Sequence, residues 1–287
     1  VKFRLDQANN PSSVYFKQAK DANKLIEEFM LLANRQVASF IGKNMDGMPS
    51  KKPFVYRVHD VPDPDKIVVF STFVKQFGHQ IMMKTPKDIA NSMNRVLADV
   101  SGKREENMIE LLAIRAMSKA KYTTENIGHY GLGFNYYTHF TSPIRRWPDV
   151  MVHRLLQRYL DGEKIKNKEA IEEQCKHSSE MEKLSTDAER SSIKYMQVKY
   201  LVGKEGQVFD ALVSGVTEFG MFVELQDSLC EGLVSMRDIK DDHYVLNKES
   251  FSLVGRKTGH KFQLGDPIRV RVRNVDLVKK QLDFELV

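Results

Sequence analysis

Past Gly203 the sequence changes its period. Five short runs alternate apolar and polar residues between turn formers: Glu205–Val213, Met221–Leu225, Glu231–Ser235, Pro267–Val275 and Gln281–Leu286. Five strands in this pattern predict a small barrel of the OB type. A long polar insertion separates the third and fourth runs and contains Met236-Arg237-Asp238-Ile239 and Tyr244-Val245-Leu246. Before Gly203 the apolar residues recur mainly at helical spacing. The expected fold class is therefore α+β, with a mainly helical part over 1–203 and a β-barrel over 204–287.

A chain of 287 residues, 41% hydrophobic, is long enough for two domains with real cores. It has no apolar run of membrane-spanning length and no signal-peptide pattern at Val1, so a cytoplasmic protein with no membrane partner is expected. Cys175 and Cys230 lie far apart, form no metal-ligand spacing and read as reduced thiols. The net charge of +6 fits a nucleic-acid partner. Residues 204–287 hold 12 Lys/Arg and 14 Asp/Glu, and residues 1–203 hold the remaining 32 and 24, so the basic excess belongs to the helical part.

Within that part, Val1 to Lys17 reads as a hairpin turning at Asn9-Asn10-Pro11-Ser12, and Ala19 to Ile41 reads as a helix stopped by Gly42. Phe54–His59 reads as a short strand, and Asp60 to Asp65 as a Pro-broken acidic loop that does not form a metal cluster. Helices are expected from Pro64 to Phe77, from a cap at Thr85 closed by Asp88, and from Lys103 to Lys119. A charged helix is expected from Lys168 to Tyr200, with Glu182 on a solvated face.

The stretch from Gly128 to Arg154 is chemically the densest. Tyr130-Gly131-Leu132-Gly133-Phe134 alternates like a strand. Thr138, Thr141 and Ser142 then offer hydroxyls. Ser142 followed by Pro143 predicts an N-cap and a helix reaching Leu160, with Arg145 and Arg146 in its first turn. Cations are misplaced at the positive end of a helix unless an anion joins them, so a phosphate site is one reading. A plain helix start with two solvated arginines is the other.

The string HFTSPIRRWPD resembles the signature of the RNase II/RNase R family of exoribonucleases, with Trp147 standing where the family usually has Tyr. The resemblance covers nearly the whole chain and is closer to the RNase R branch. It implies the later part of an RNB catalytic domain, with Arg145 and Glu189 as catalytic residues. RNA contacts are expected from Arg57, His59, His129, Tyr130, Thr141, Ser142 and Arg146, with a buried strand whose histidine is satisfied locally as the equal alternative for Arg57 and His59. The string EGQVFDALVSGVTEFGMFVELQD, with EGLVSM and FQLGDPIRVRV after it, resembles an S1 domain. Phe209, Phe219 and Phe222 match its RNA-stacking positions, the alternative being that one or more of them, Phe209 foremost, belong to the core, while Ser235 replaces the usual histidine. Arg269, Arg271 and Arg273 alternate along one run, and Lys279 and Lys280 follow, giving a basic stripe for single strands.

Family members degrade RNA from its 3′ end and hold Mg²⁺ on an Asp-rich motif, D-P-x-x-A-K-D-x-D-D-A. That motif is absent from this sequence. The expectation is a C-terminal portion of a monomeric, Mg²⁺-dependent 3′→5′ exoribonuclease acting on single-stranded RNA and not DNA, with its metal ligands upstream. The alternative is an inactive RNA-binding or assembly module.

Overall fold

The computed structural model describes residues 2–16, 20–103, 105–247 and 250–287, with Asn107 described by its backbone alone. The expected hairpin ends, Val1 and Lys17, and the expected helix start, Ala19, lie outside the described residues. Compactness divides the chain into two units that interleave along the sequence. One comprises Gln18–Asp63 and Met117–Ala188, and the other Val1–Lys17, Pro64–Ala116 and Glu189–Val287.

In chain order, the hairpin strands β1 (Lys2–Leu5) and β2 (Pro11–Tyr15) precede helix α1 (Asp21–Gly42) and strand β3 (Tyr56–Val58). Three helices follow: α2 (Pro64–Lys75), α3 (Pro86–Val100) and α4 (Glu106–Ala116). Strand β4 (Lys121–Thr123) leads to α5 (Trp147–Leu160) and the long α6 (Lys168–Leu201).

The first unit packs around Ile41, Phe54, Val55, Tyr56, Val58, Tyr122, Met151, Val152, Leu155 and Cys175. These come from α1, the β3–β4 pair and its approach, α5 and the early part of α6. Few of the apolar residues of α1 are buried. Ala38 and Ile41 are buried, whereas Leu25, Ile26, Phe29 and Leu32 remain exposed. Gly42 does more than end α1. A Cβ there would lie 2.5 Å from the Tyr136 ring and 2.9 Å from the Tyr56 hydroxyl oxygen, so the backbone approach requires glycine.

In the second unit Thr85 caps α3 as expected. Its Oγ1 accepts from the Asp88 N–H at 3.1 Å and donates to the Asp88 carboxylate at 2.8 Å. The barrel strands are β5 (Val208–Thr217), β6 (Gly220–Leu225), β7 (Glu231–Ser235), β11 (Pro267–Asp276) and β12 (Gln281–Leu286), within one or a few residues of the expected runs. They close in the order β11-β12-β7-β6-β5, all pairs antiparallel except β12 with β7. Ala211, Val213, Met221, Val223, Leu225, Val234, Val270, Val272, Leu282 and Phe284 fill the interior, joined by Val198 and Leu201 of α6. The polar insertion is structured. Strands β8 (Tyr244–Asn247), β9 (Ser252–Gly255) and β10 (Lys261–Gln263) form a separate antiparallel sheet. With only three or four residues each, these strands leave too little alternation to register as a period.

Candidate functional site

The helix expected to begin at Ser142 begins at Trp147, with Arg146 as its extended N-cap residue. Pro148 is the cause. A helix started at Ser142 would need the Pro148 nitrogen to donate to the Ile144 carbonyl, but proline has no N–H and its ring would clash there. At the second helical position its missing donor costs nothing. Residues 143–145 form a turn instead, in which the Arg145 and Arg146 N–H groups reach the Ser142 carbonyl at 3.3 and 3.1 Å. Both arginines therefore precede the helix.

One buried carboxylate anchors this turn. Asp149 is 0% exposed. Its Oδ2 accepts from the Ser142 N–H at 2.7 Å and from Arg146 Nη2 at 2.8 Å. Arg146 is thus held inward, while Arg145 stays exposed. The same spot contains buried polar atoms without a protein partner: Thr141 Oγ1, Arg146 Nε and Asp149 Oδ1. Buried polar atoms without a partner are uncommon in folded proteins.

The turn forms one wall of a cleft of about 580 Å³. Arg145, Arg146, Trp147 and Pro148 face residues of one side of α6, namely His177, Ser178, Met181, Glu182, Ser185 and Thr186, with Tyr122 also lining it. Glu182, expected on a solvated face, receives Arg57 Nη1 at 2.6 Å. The Arg57 side chain is 14% exposed and lies over the Tyr122 ring at 4.7 Å. The Tyr122 hydroxyl in turn hydrogen-bonds with His139 Nδ1 at 2.8 Å. Burial, then the charges of Arg146 and Arg57, hold the His139 pKa down at about 3, so its ring is neutral. Burial pushes the Tyr122 hydroxyl up to about 12. This chain from Arg57 to His139 shapes the cleft, and nothing in local sequence pattern could have shown it, because its members lie far apart along the chain.

Other expected contacts sit elsewhere. The Tyr130–Phe134 run is not a strand. Tyr130–Leu132 is a 3₁₀ turn, with His129 Nδ1 accepting from the Leu132 N–H at 3.3 Å and Gly133 left-handed at φ 66°. His59 is held on both nitrogens: Nδ1 accepts from the Gly131 N–H at 3.0 Å and Nε2 donates to the Ser118 carbonyl at 2.7 Å. It stacks on His129, whose pKa burial and then the neighbouring His59 lower to about 4. Tyr130 tilts against the same ring pair at 6.3 Å from His59. Thr138 is buried and donates to the Val55 carbonyl at 2.7 Å. Glu189 is exposed on α6.

On the barrel, Phe219 is 78% and Phe222 37% exposed. Phe222 points outward between the inward Met221 and Val223. Phe209 differs from the expectation. It shares the inward register of Ala211 and Val213, pairs with the buried Val270 and packs against the barrel core. The arginine stripe is charge-balanced rather than free. Arg269 faces Asp210 at 3.7 Å, Arg271 pairs with Glu285 at 2.9 Å and Arg273 pairs with Asp238. Arg273 also falls at a bulge, which breaks the strict alternation. Lys280 bonds the Ser191 hydroxyl and Lys279 lies 3.8 Å from Asp276. Ser235, in place of the histidine, accepts from the Arg237 N–H at 3.4 Å.

The described residues do not fit the Mg²⁺ that the resemblance implies. Among them no group of three or more His, Cys, Asp or Glu side chains is placed to hold a metal, and the one carboxylate lining the cleft, Glu182, is paired with Arg57. Both cysteines are buried and free. Among the described residues no helix is long and apolar enough to cross a membrane.

A sequence model of the RNB domain matches residues 1–162, and one of the S1 RNA binding domain matches residues 203–286. The chain is 37% identical over 287 residues to Ribonuclease R of Aquifex aeolicus, covering 99% of this chain and 40% of that one. It is 33% identical over 302 residues to Ribonuclease R of Escherichia coli, covering 100% and 36%. The structure of Mycoplasma genitalium RNase R in complex with ribose methylated single-stranded RNA is similar with a TM-score of 0.87 at 27% identity, covering 100% of this chain and 45% of that one. The chain spans about 40% of the length of the curated relatives it matches. With the RNB match extending over more than half of its residues and the barrel matched as well, the chain belongs to the RNB domain family, on its RNase R side, and includes an S1 domain.

Proposed function

We propose that this chain is the part of a 3′→5′ exoribonuclease that holds single-stranded RNA and stabilises the reacting phosphate, with release of nucleoside 5′-monophosphates. Residues 1–203 are read as the catalytic-domain portion and 204–287 as the RNA-binding barrel. The observation that supports this best is the turn at Ser142–Arg146. Asp149 fixes Arg146 and the Ser142 backbone, and so sets the turn from which the exposed Arg145 lines the cleft. Attack on a phosphodiester builds negative charge on the non-bridging oxygens. A guanidinium set in place beforehand binds that charge more tightly than it binds the ground state. Phe219 and Phe222 supply exposed rings on which successive bases stack without regard to sequence.

The test is single-turnover cleavage and equilibrium RNA binding by the full-length enzyme carrying Arg145→Ala or Arg145→Lys. Charge-stabilising arginines in phosphoryl transfer are worth about 10³–10⁵ in rate, so turnover should fall steeply while affinity changes little. Lysine should not rescue, because a point charge lacks the planar fork. Equal losses of affinity and turnover would make Arg145 a substrate anchor and remove its transition-state role.

A further inference from the structure

The cleft includes a group that phosphate binding alone does not need. Trp147 is the single tryptophan of the chain. It opens α5 beside Arg145, lines the cleft and is 48% exposed. Its ring is held in place without being buried. Arg154, two turns further along the same helix, places its guanidinium carbon 5.2 Å from the ring centroid and covers one face. A tryptophan that served packing would bury its large apolar area. This one is left half open, braced by a cation, next to an exposed arginine. Ser185, Thr186 and Glu182 of α6 lie on the same cleft and offer hydrogen-bonding groups. A flat π surface, a guanidinium and hydroxyl-reading groups match the base, phosphate and sugar of a nucleotide, and about 580 Å³ is ample for one.

We infer that Trp147 is a nucleobase platform, and that the cleft binds a nucleoside 5′-monophosphate with its base stacked on the indole and its phosphate at Arg145. This rests on the proposed function for the phosphate end only; the base end stands on the tryptophan.

Because Trp147 is the only tryptophan, its emission reports on this position alone. The 287-residue chain is titrated with adenosine 5′-monophosphate and with ribose 5-phosphate, following tryptophan fluorescence and, in parallel, heat of binding. The mononucleotide should quench the indole saturably, and ribose 5-phosphate should bind without quenching. Trp147→Leu should weaken the mononucleotide about five-fold to about a hundred-fold, the range of one stacked base, and leave ribose 5-phosphate unchanged. Trp147→Phe, which keeps a ring, should retain most of the affinity and guards against a folding defect in the leucine variant. If both ligands bind wild type and Trp147→Leu equally, or the mononucleotide binds without quenching, the platform is wrong. If ribose 5-phosphate binding is indifferent to Arg145→Ala, the phosphate assignment fails. Mononucleotide quenching that survives Arg145→Ala would then still support the platform by itself.

Discussion

Arg146 and Asp149 face each other inside the protein, and neither can be removed alone without consequence. Asp149 has no access to solvent, so Arg146→Ala would leave a buried carboxylate without its cation, a loss of about 3–5 kcal/mol. Denaturant unfolding should show that drop for Arg146→Ala and less than about 0.5 kcal/mol for the exposed Arg145→Ala. On the proposed function, the two adjacent arginines separate into a structural one, Arg146, and a chemical one, Arg145. His139 gives a pH signature. Its folded pKa of about 3 lies below the ordinary histidine value of 6.5, so the folded ring refuses a proton that the unfolded chain accepts. Its contribution to stability is complete above pH 6.5 and is lost progressively as pH falls towards about 3. His129, lowered to about 4, acts in the same direction. Thermal midpoints at about pH 7 and about pH 4.5 should differ less in His139→Gln than in wild type.

Among the elements, the β5–β6 hairpin decides what the barrel can present. Gly220 has φ 148°, and a Cβ there would fall 2.1 Å from the Val234 carbonyl oxygen, so only glycine lets the turn hold Phe219 out in solvent. Phe219→Ala and Phe222→Ala should each cost about 1–3 kcal/mol of single-stranded RNA affinity per stacked base, with little change in barrel stability. Phe209→Ala should do the reverse, lowering the thermal midpoint and sparing affinity, since it packs on the core. The sequence displayed the barrel well because each strand repeats at period two and ends in a turn former. The start of α5 was also written there, in Pro148, but Ser142-Pro143 offered a competing start signal that only the requirements of proline at the later position could overrule. The cleft was half legible. Arg145, Arg146 and Trp147 are contiguous and share a motif, whereas Glu182 meets Arg57 across most of the unit's sequence and no local periodicity encodes such a meeting. Of the three rings, Phe209 had the strongest claim to the core in the sequence, and its pairing with the buried Val270 agrees with that claim.

For the molecule as a whole, charge is distributed so that a stripe of arginines need not act as a stripe of positive potential. Asp210, Glu285 and Asp238 each neutralise one arginine of β11, and residues 204–287 are slightly acidic in sum. Binding of a phosphate backbone there must displace carboxylates as well as counterions. The fall of affinity with salt should accordingly be shallower than three free arginines would give, and Asp210→Asn with Glu285→Gln should raise affinity and steepen that slope. Titrations across ionic strength measure both, and an unchanged slope in the double variant would place the RNA elsewhere on the surface. The barrel's one parallel seam, Asp283 to Leu233 and Phe284 to Val234, has a kinetic meaning. No hairpin can bring β12 to β7. The intervening chain, with its own three-stranded sheet, must be gathered in first, and loop closure of that length opposes the step. The barrel therefore belongs among the slow folders, in the millisecond-to-second regime of sequence-distant β contacts. Until β12 arrives, the bare edge of β7 is open to a strand from another molecule, and that waiting period is when aggregation competes with folding.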